Sequence, residues 1–358
     1  MAQAAHPIPS QTQPLFGQLT QSPVIRETVR FLIALALSLG VFSIILVIQG
    51  KPPLQTYQDL YRSTLGSTYG RSEVGVKMIP LLLCALAVAV PARVGLVNVG
   101  GEGQLYMGAL LASWPALTFT GLSAWVLLPL MMIMGMIGGG LWAFIPAALR
   151  AKGWMNETIC TLLLNYVAIL FVQYVVFGPW KDPLSANFPQ SKDFPDAARL
   201  PTFGSTRLHY GIVIALVAAA LLYFVLKFTR WGYEMRAIGG NWEAARRSGI
   251  PIAAYIIITM MVGGAMAGIA GFGEVSAIQG RLRPGISPGY GYMGFLVCWL
   301  AGHNPITIVL MSGLLAVLTA GGDSLQINQG LPYASVNLLM ALTLFMVLAQ
   351  RGKGGARA

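Results

Sequence analysis

Three polar side chains set among four glycines are the first residues here that could do chemistry: Asn98, Glu102 and Gln104, in the stretch Val94-Gly95-Leu96-Val97-Asn98-Val99-Gly100-Gly101-Glu102-Gly103-Gln104. Long apolar runs lie on both sides. Glycine loosens a helix, and backbone groups freed from it need a partner or water. At membrane depth such backbone is tolerated where it lines a cavity. The three side chains would then offer donors and acceptors to a polar solute. The other reading is a tight turn between two spans, and the residues leave both open. A second interruption, Gly271-Phe272-Gly273-Glu274, ends a later span. Phe272 and Glu274 could line the same path or make a turn at the outer face. Asn165, beside Tyr166 inside another span, could bond a neighbouring helix or touch solute.

Other chemistry is missing. There is no Walker A loop for ATP. Gly289-Tyr290-Gly291-Tyr292-Met293-Gly294 matches G-x-G-x-x-G, but it follows no strand and enters an apolar run. His6, His209 and His303 are scattered, so no metal site is expected. No Ser-His-Asp arrangement with an elbow motif is visible. Carboxylates within spans are scarce, Glu102 and Glu274 being the near candidates. An ion-driven carrier often keeps such groups at mid-membrane, each costing roughly 2.5 kcal/mol or more. Energy is therefore expected to enter elsewhere. Cys84, Cys160 and Cys298 lie far apart in apolar runs and read as packed thiols.

The elements that must position these residues are helices in lipid. The 358-residue chain is 56% hydrophobic and 10% charged, with a mean hydropathy of +0.67. A soluble domain is roughly one quarter charged. The net charge of +11 sits largely at the ends of apolar runs, which points to topology and anionic headgroups, not nucleic acid. The fold class expected is all-α and polytopic, with about ten spans: roughly 31–49, 78–92, 103–120, 124–147, 158–178, 209–227, 252–272, 291–303, 306–320 and 333–349. Residues 1–30 are expected to be a cytoplasmic N-terminal segment, with no sign of a cleavable signal. Residues 31–349 are expected to form the transmembrane domain, and 350–358 a basic cytoplasmic tail. Tyr106-Met107-Gly108-Ala109-Leu110 resembles Tyr292-Met293-Gly294-Phe295-Leu296, which hints at an inverted repeat of spans 2–5 with spans 7–10. Gly135, Gly138–Gly140 and Gly263–Gly268 read as helix–helix packing faces.

One stretch, Arg236 to Ile250, is out of character: four of its fifteen residues are charged. It reads as a loop entering a helix of about two turns. Asn241 is a good N-cap, and Glu243 suits the positive helix end. Arg246 and Arg247 suit the negative end, Gly249 can take a left-handed C-cap, and Pro251 ends the helix. Trp242 and the pair Ala244-Ala245 give it a small apolar contact surface. Such a helix must rest either on the headgroup layer or on a cytoplasmic protein.

Gly240-Asn241-Trp242-Glu243-Ala244-Ala245-Arg246-Arg247-Ser248-Gly249-Ile250 resembles the coupling segment of ABC importer permeases of the ribose, branched-chain amino acid and nucleoside type. Gly95 to Gln104 resembles the nucleoside branch, as do Asn156-Glu157-Thr158-Ile159, Leu164-Asn165-Tyr166 and Gly289-Tyr290-Gly291-Tyr292. Val99 and Gly101 depart from that pattern conservatively. Arg281 and Arg283 add two cations toward the outer mouth, suited to an anionic or strongly polar solute, or only to a contact with the binding protein. The resemblance implies a bacterial inner-membrane importer. A binding protein delivers solute to two permease chains, this one and a similar but distinct partner. Separate ATPase subunits carry the ATP and Mg, so this chain holds no cofactor and is no enzyme. They would grip Asn241, Trp242, Glu243, Ala244, Ala245, Arg246 and Gly249. The rival reading is a secondary carrier or channel that works without an ATPase.

Overall fold

The computed structural model describes residues 23–186, 188–332, 334–335, 337–343 and 345–346, with side chains from Thr28 onward. The described residues are helical, apart from loops and one isolated bridge between Thr202 and His209. They fall into two units. The first combines α1 (Pro23–Ile48) with helical residues between 334 and 346. Within it the Ser38 hydroxyl donates to the Leu342 carbonyl at 3.3 Å, and the Gln49 amide donates to Ser335 at 3.1 Å.

The second unit, Gln55–Tyr333, holds the rest: α2 (Pro53–Thr64, begun just before it), α3 (Thr68–Ala92), α4 (Gly101–Thr118), α5 (Ala124–Ala151) and α6 (Glu157–Phe177) come first. Then follow α7 (Gly211–Phe228), α8 (Arg230–Gly240), α9 (Trp242–Arg247), α10 (Ile252–Gly273), α11 (Tyr290–Leu300) and α12 (Pro305–Gln329). Every residue from Ile79 to Pro91 in α3 is buried, as is every residue from Gly101 to Leu110 in α4. A helix apolar all round belongs in the middle of a bundle. So α3, α4 and α10 form the centre, α5 packs on α4 and α10, α6 on α4, and α11 and α12 on α3.

Glycine sets how close these axes come. A Cβ on Gly264 would strike the Gly139 backbone, and one on Gly268 the Gly135 backbone. A Cβ on Gly138 would lie 2.5 Å from the Met107 carbonyl oxygen. The glycine runs are thus packing faces, as their spacing suggested.

Seven helices among the described residues are long and apolar enough to cross a membrane. They are α1, α3, α5, α6, α7, α10 with its continuation to Gln279, and α12. Of the remaining expected spans, α4 carries Glu102 and Gln104 in its first turn, α11 has 11 residues, and 333–349 lies partly outside the described residues. At 1.5 Å per residue α11 covers about 16 Å of a core of about 30 Å.

Several expected boundaries move. The spans expected at 78–92 and 306–320 are 25-residue helices. Each helix runs past its expected apolar stretch through a charged residue, and the two charges pair: Lys77 Nζ lies 2.6 Å from Asp323 Oδ2. Residues 236–240, expected as loop, are the end of α8, which the Thr229 hydroxyl caps at Gly232 N–H and whose Met235 and Ile238 are buried. The interruption expected at Gly271–Glu274 is no break either. The helix widens into a π turn over Glu274–Gln279 and ends at Gly280, φ +63°. Gly271 is small because α4 lies against it: its Cβ would meet the Leu105 carbonyl.

Candidate functional site

Chain leaves α3 at Arg93 and makes an irregular link to α4, with Gly95 at φ +79°. The polar residues of this link turn inward. Asn98, Glu102, Gln104 and Asn165 are all at most 2% exposed. Asn98 and Gln104 bond each other twice, amide to carbonyl oxygen, at 3.1 Å each way. Asn98 also donates to the Ala87 carbonyl at 3.2 Å and accepts from Gly100 N–H at 3.0 Å. From α6, Asn165 accepts from Gly103 N–H at 2.8 Å and donates to the Val99 carbonyl at 2.9 Å. The backbone groups that the break releases are therefore met by side chains, as burial in a dry interior requires.

Glu102 does a different job. Its Oε2 accepts from Gly291 N–H at 2.7 Å, and Ser287 and Gly289 also reach it. Gly291 stands in the first turn of α11, where N–H groups lack helical partners. A carboxylate there also suits the positive helix end. Gly101 and Gly291 pack against each other, so the N-termini of α4 and α11 abut. Phe272 and Glu274, 1% and 5% exposed, are buried in the last turn of α10 and the π turn that follows. They sit within a continuous helical path and not in a second break.

The charged segment forms the helix it was read as. Asn241 Oδ1 accepts from Ala244 N–H at 3.0 Å, Glu243 pairs with Arg247 at 3.3 Å, and Gly249 is left-handed at φ +81°. Ala245 is buried, whereas Asn241, Glu243, Ala244, Arg246 and Gly249 are exposed. Of the two neighbouring alanines, only Ala244 is exposed.

Trp242 joins this helix to the break. Its indole Nε1 donates to the Val94 carbonyl at 3.0 Å. The Arg150 guanidinium, at the end of α5, lies 5.2 Å from the Trp242 ring centroid, and Arg150 Nε is 2.9 Å from Glu157 Oε2. Glu157 Oε1 accepts from Val97 N–H at 3.3 Å. Two routes thus run from α9 into the link, one direct and one through Arg150 and Glu157. The sequence did not show the Arg150–Glu157–Trp242 chain. Its only trace was the Asn156-Glu157-Thr158 motif, whose Glu157 is 5% exposed although it opens a helix.

The loop between α6 and α7 is also anchored. Arg281 Nη2 lies 2.6 Å from Asp193 Oδ1, and Ser276 Oγ donates to the Ala198 carbonyl at 2.6 Å. Of the two cations expected toward the outer mouth, Arg281 is paired and Arg283 is exposed. The three cysteines are free and buried. Among the described residues no three His, Cys, Asp or Glu gather as metal ligands.

The family described as "Branched-chain amino acid transport system / permease component" matches residues 71–349. The chain is 36% identical over 322 residues to a glucose ABC transporter permease protein of Haloferax volcanii, covering 87% of this chain and 84% of that one. It is 32% identical over 319 residues to a guanosine ABC transporter permease protein of Bacillus subtilis, covering 88% and 91%. It is 32% identical over 328 residues to a nucleoside ABC transporter permease protein of Lactococcus lactis, covering 88% and 89%. These matches set aside the carrier that works without an ATPase. The chain belongs to the branched-chain amino acid transport system permease family, and is a multi-pass membrane permease component of an ABC importer and not itself an ATPase.

Proposed function

We propose that this permease passes a hydroxylated polar solute, of the nucleoside or sugar type, across a bacterial inner membrane. The support is that relatives named for glucose, guanosine and nucleosides match most of its length. A binding protein delivers the solute, a second and distinct permease chain completes the path, and separate ATPase subunits supply ATP and Mg. Ten crossings put both termini in the cytoplasm: the seven long helices, α4, α11 with the irregular chain that leads into it, and the described helical residues between 334 and 346. An inverted repeat is supported by the two Tyr-Met-Gly copies, which lie near the abutting starts of α4 and α11.

The observation that carries the mechanism is the Trp242 contact with Val94. An ATPase gripping the exposed face of α9 pushes on a helix whose buried side is bonded to the break. Movement reaches Val94 directly and Val97 through Arg150 and Glu157. Asn98, Glu102, Gln104 and Asn165 then exchange their internal bonds for bonds to solute, with Phe272 and Glu274 beside the same path. The push shifts the conformational balance only if the ATPase grips α9 differently in the two states.

The test uses the complex reconstituted with its ATPase and binding protein. Ala244→Arg should abolish ATPase association while the chain still inserts. Trp242→Phe should leave association intact and lower solute moved per ATP by about fivefold, the equivalent of one net hydrogen bond of about 1 kcal/mol. An unchanged transport ratio for Trp242→Phe rejects the relay.

A further inference from the structure

Three cations line one cavity without a carboxylate beside them. Arg93 follows α3, Lys227 stands in the last turn of α7, and Arg236 lies on α8; with Asn304 and Tyr223 they line an open cavity of about 150 Å³. One water needs only ~10–15 Å³. Their bonds go to neutral acceptors. Arg93 Nη2 donates to the His303 carbonyl at 2.8 Å, Lys227 Nζ to the Tyr223 hydroxyl at 2.7 Å, and Arg236 to the Leu226 carbonyl. Arg93 Nε is buried and has no hydrogen-bond partner. None of the three enters an ion pair among the described residues.

Such a cluster is costly as it stands, because like charges gathered around one cavity repel and Arg93 among them is partly withdrawn from solvent. Burial, and after it the Arg236 charge, push the Arg93 guanidinium below its ordinary value. The start of α12 adds its positive end, since Asn304 is its N-cap. An anion would relieve all of these at once, and a phosphate group offers several acceptor oxygens to a forked guanidinium.

Two observations favour a lipid over a free ion. Arg93, Lys227 and Asn304 stand at the ends of three membrane-crossing helices, the depth of the headgroup layer. Beside the cavity, α7 exposes Leu221, Phe224 and Phe228, each between 57% and 62%, an apolar strip suited to acyl chains. We propose that this cavity holds the phosphate of an anionic phospholipid, with its chains along the exposed face of α7. Basic pockets between helix ends bind such headgroups elsewhere.

The experiment is native mass spectrometry of the full chain, alone and in its transporter complex, released from nanodiscs of mixed phosphatidylglycerol and phosphatidylcholine. Phosphatidylglycerol should stay bound in both samples and phosphatidylcholine should not. Lys227→Gln and Arg236→Gln, at exposed positions that need not disturb folding, should each weaken retention about fivefold. Arg93→Lys should keep more of it than Arg93→Gln. Equal retention of the two lipids overturns the proposal, as does retention unchanged in Lys227→Gln with Arg236→Gln. Displacement by millimolar inorganic phosphate with no lipid retained also overturns it, and assigns the cavity to a free anion. Loss of the lipid on assembly overturns it as well, and assigns the cavity to a partner chain.

Discussion

At the scale of single residues, Glu102 separates a packing role from a transport role. Its carboxylate meets the free N–H of Gly291, so Glu102→Ala leaves that buried donor unpaired. Such a loss costs about 1–3 kcal/mol. Glu102→Gln keeps a carbonyl oxygen in reach and should recover most of the stability. Thermal unfolding in detergent should therefore order the variants as wild type, Gln, Ala; equal midpoints would remove Glu102 from the α11 cap. Uptake by the Gln variant then reports on the solute path alone. The sequence named Asn98, Glu102, Gln104 and Asn165 because polar groups stand out in an apolar chain. It could not name their partners, because Asn165 and Gly291 lie more than sixty residues away from the groups they bond. Burial also split two neighbours that looked alike: Ala244 is exposed and Ala245 is not.

At the scale of helices, the glycine faces set the distance between α4, α5 and α10. A Cβ on Gly264 would meet both the Gly139 backbone and the Ala143 Cβ at 2.6 Å. Gly264→Val adds two more carbons to a contact that has no room for one. Overpacking of this kind costs about 1–3 kcal/mol. Folded yield and melting temperature should drop, whereas Gly273→Ala, where nothing lies within 4 Å of the added carbon, should match wild type. Equal behaviour of the two variants would deny the close approach. Most helices were legible from apolar runs, and α9 was legible from its caps alone. The ends of α3 and α12 were not, because Lys77 and Asp323 look like loop residues until each supplies the other's charge. The π turn after α10 was also hidden, since Gly271 and Gly273 suggest a stop while the packing of Gly271 on α4 explains its size.

For the molecule as a whole, the account rests on which face of the membrane bears α9. A single crossing helix, α7, separates the loop that precedes it from α8 and α9 that follow it. The two regions must therefore lie on opposite faces, whatever the total number of spans. Basic residues favour the inner face for α9, where an ATPase can reach it: Lys227, Arg230, Arg236, Arg246 and Arg247 all lie within its neighbourhood. The native cysteines are buried, so an introduced thiol can be labelled over a low background. Ala244→Cys and Leu184→Cys place one on each side, Leu184 being 92% exposed in the loop between α6 and α7. A membrane-impermeant maleimide should mark Leu184→Cys in intact cells and Ala244→Cys only in inside-out vesicles. The reverse pattern would turn α9 away from any cytoplasmic ATPase, and the bonds from Trp242 to the break would then carry no force from ATP.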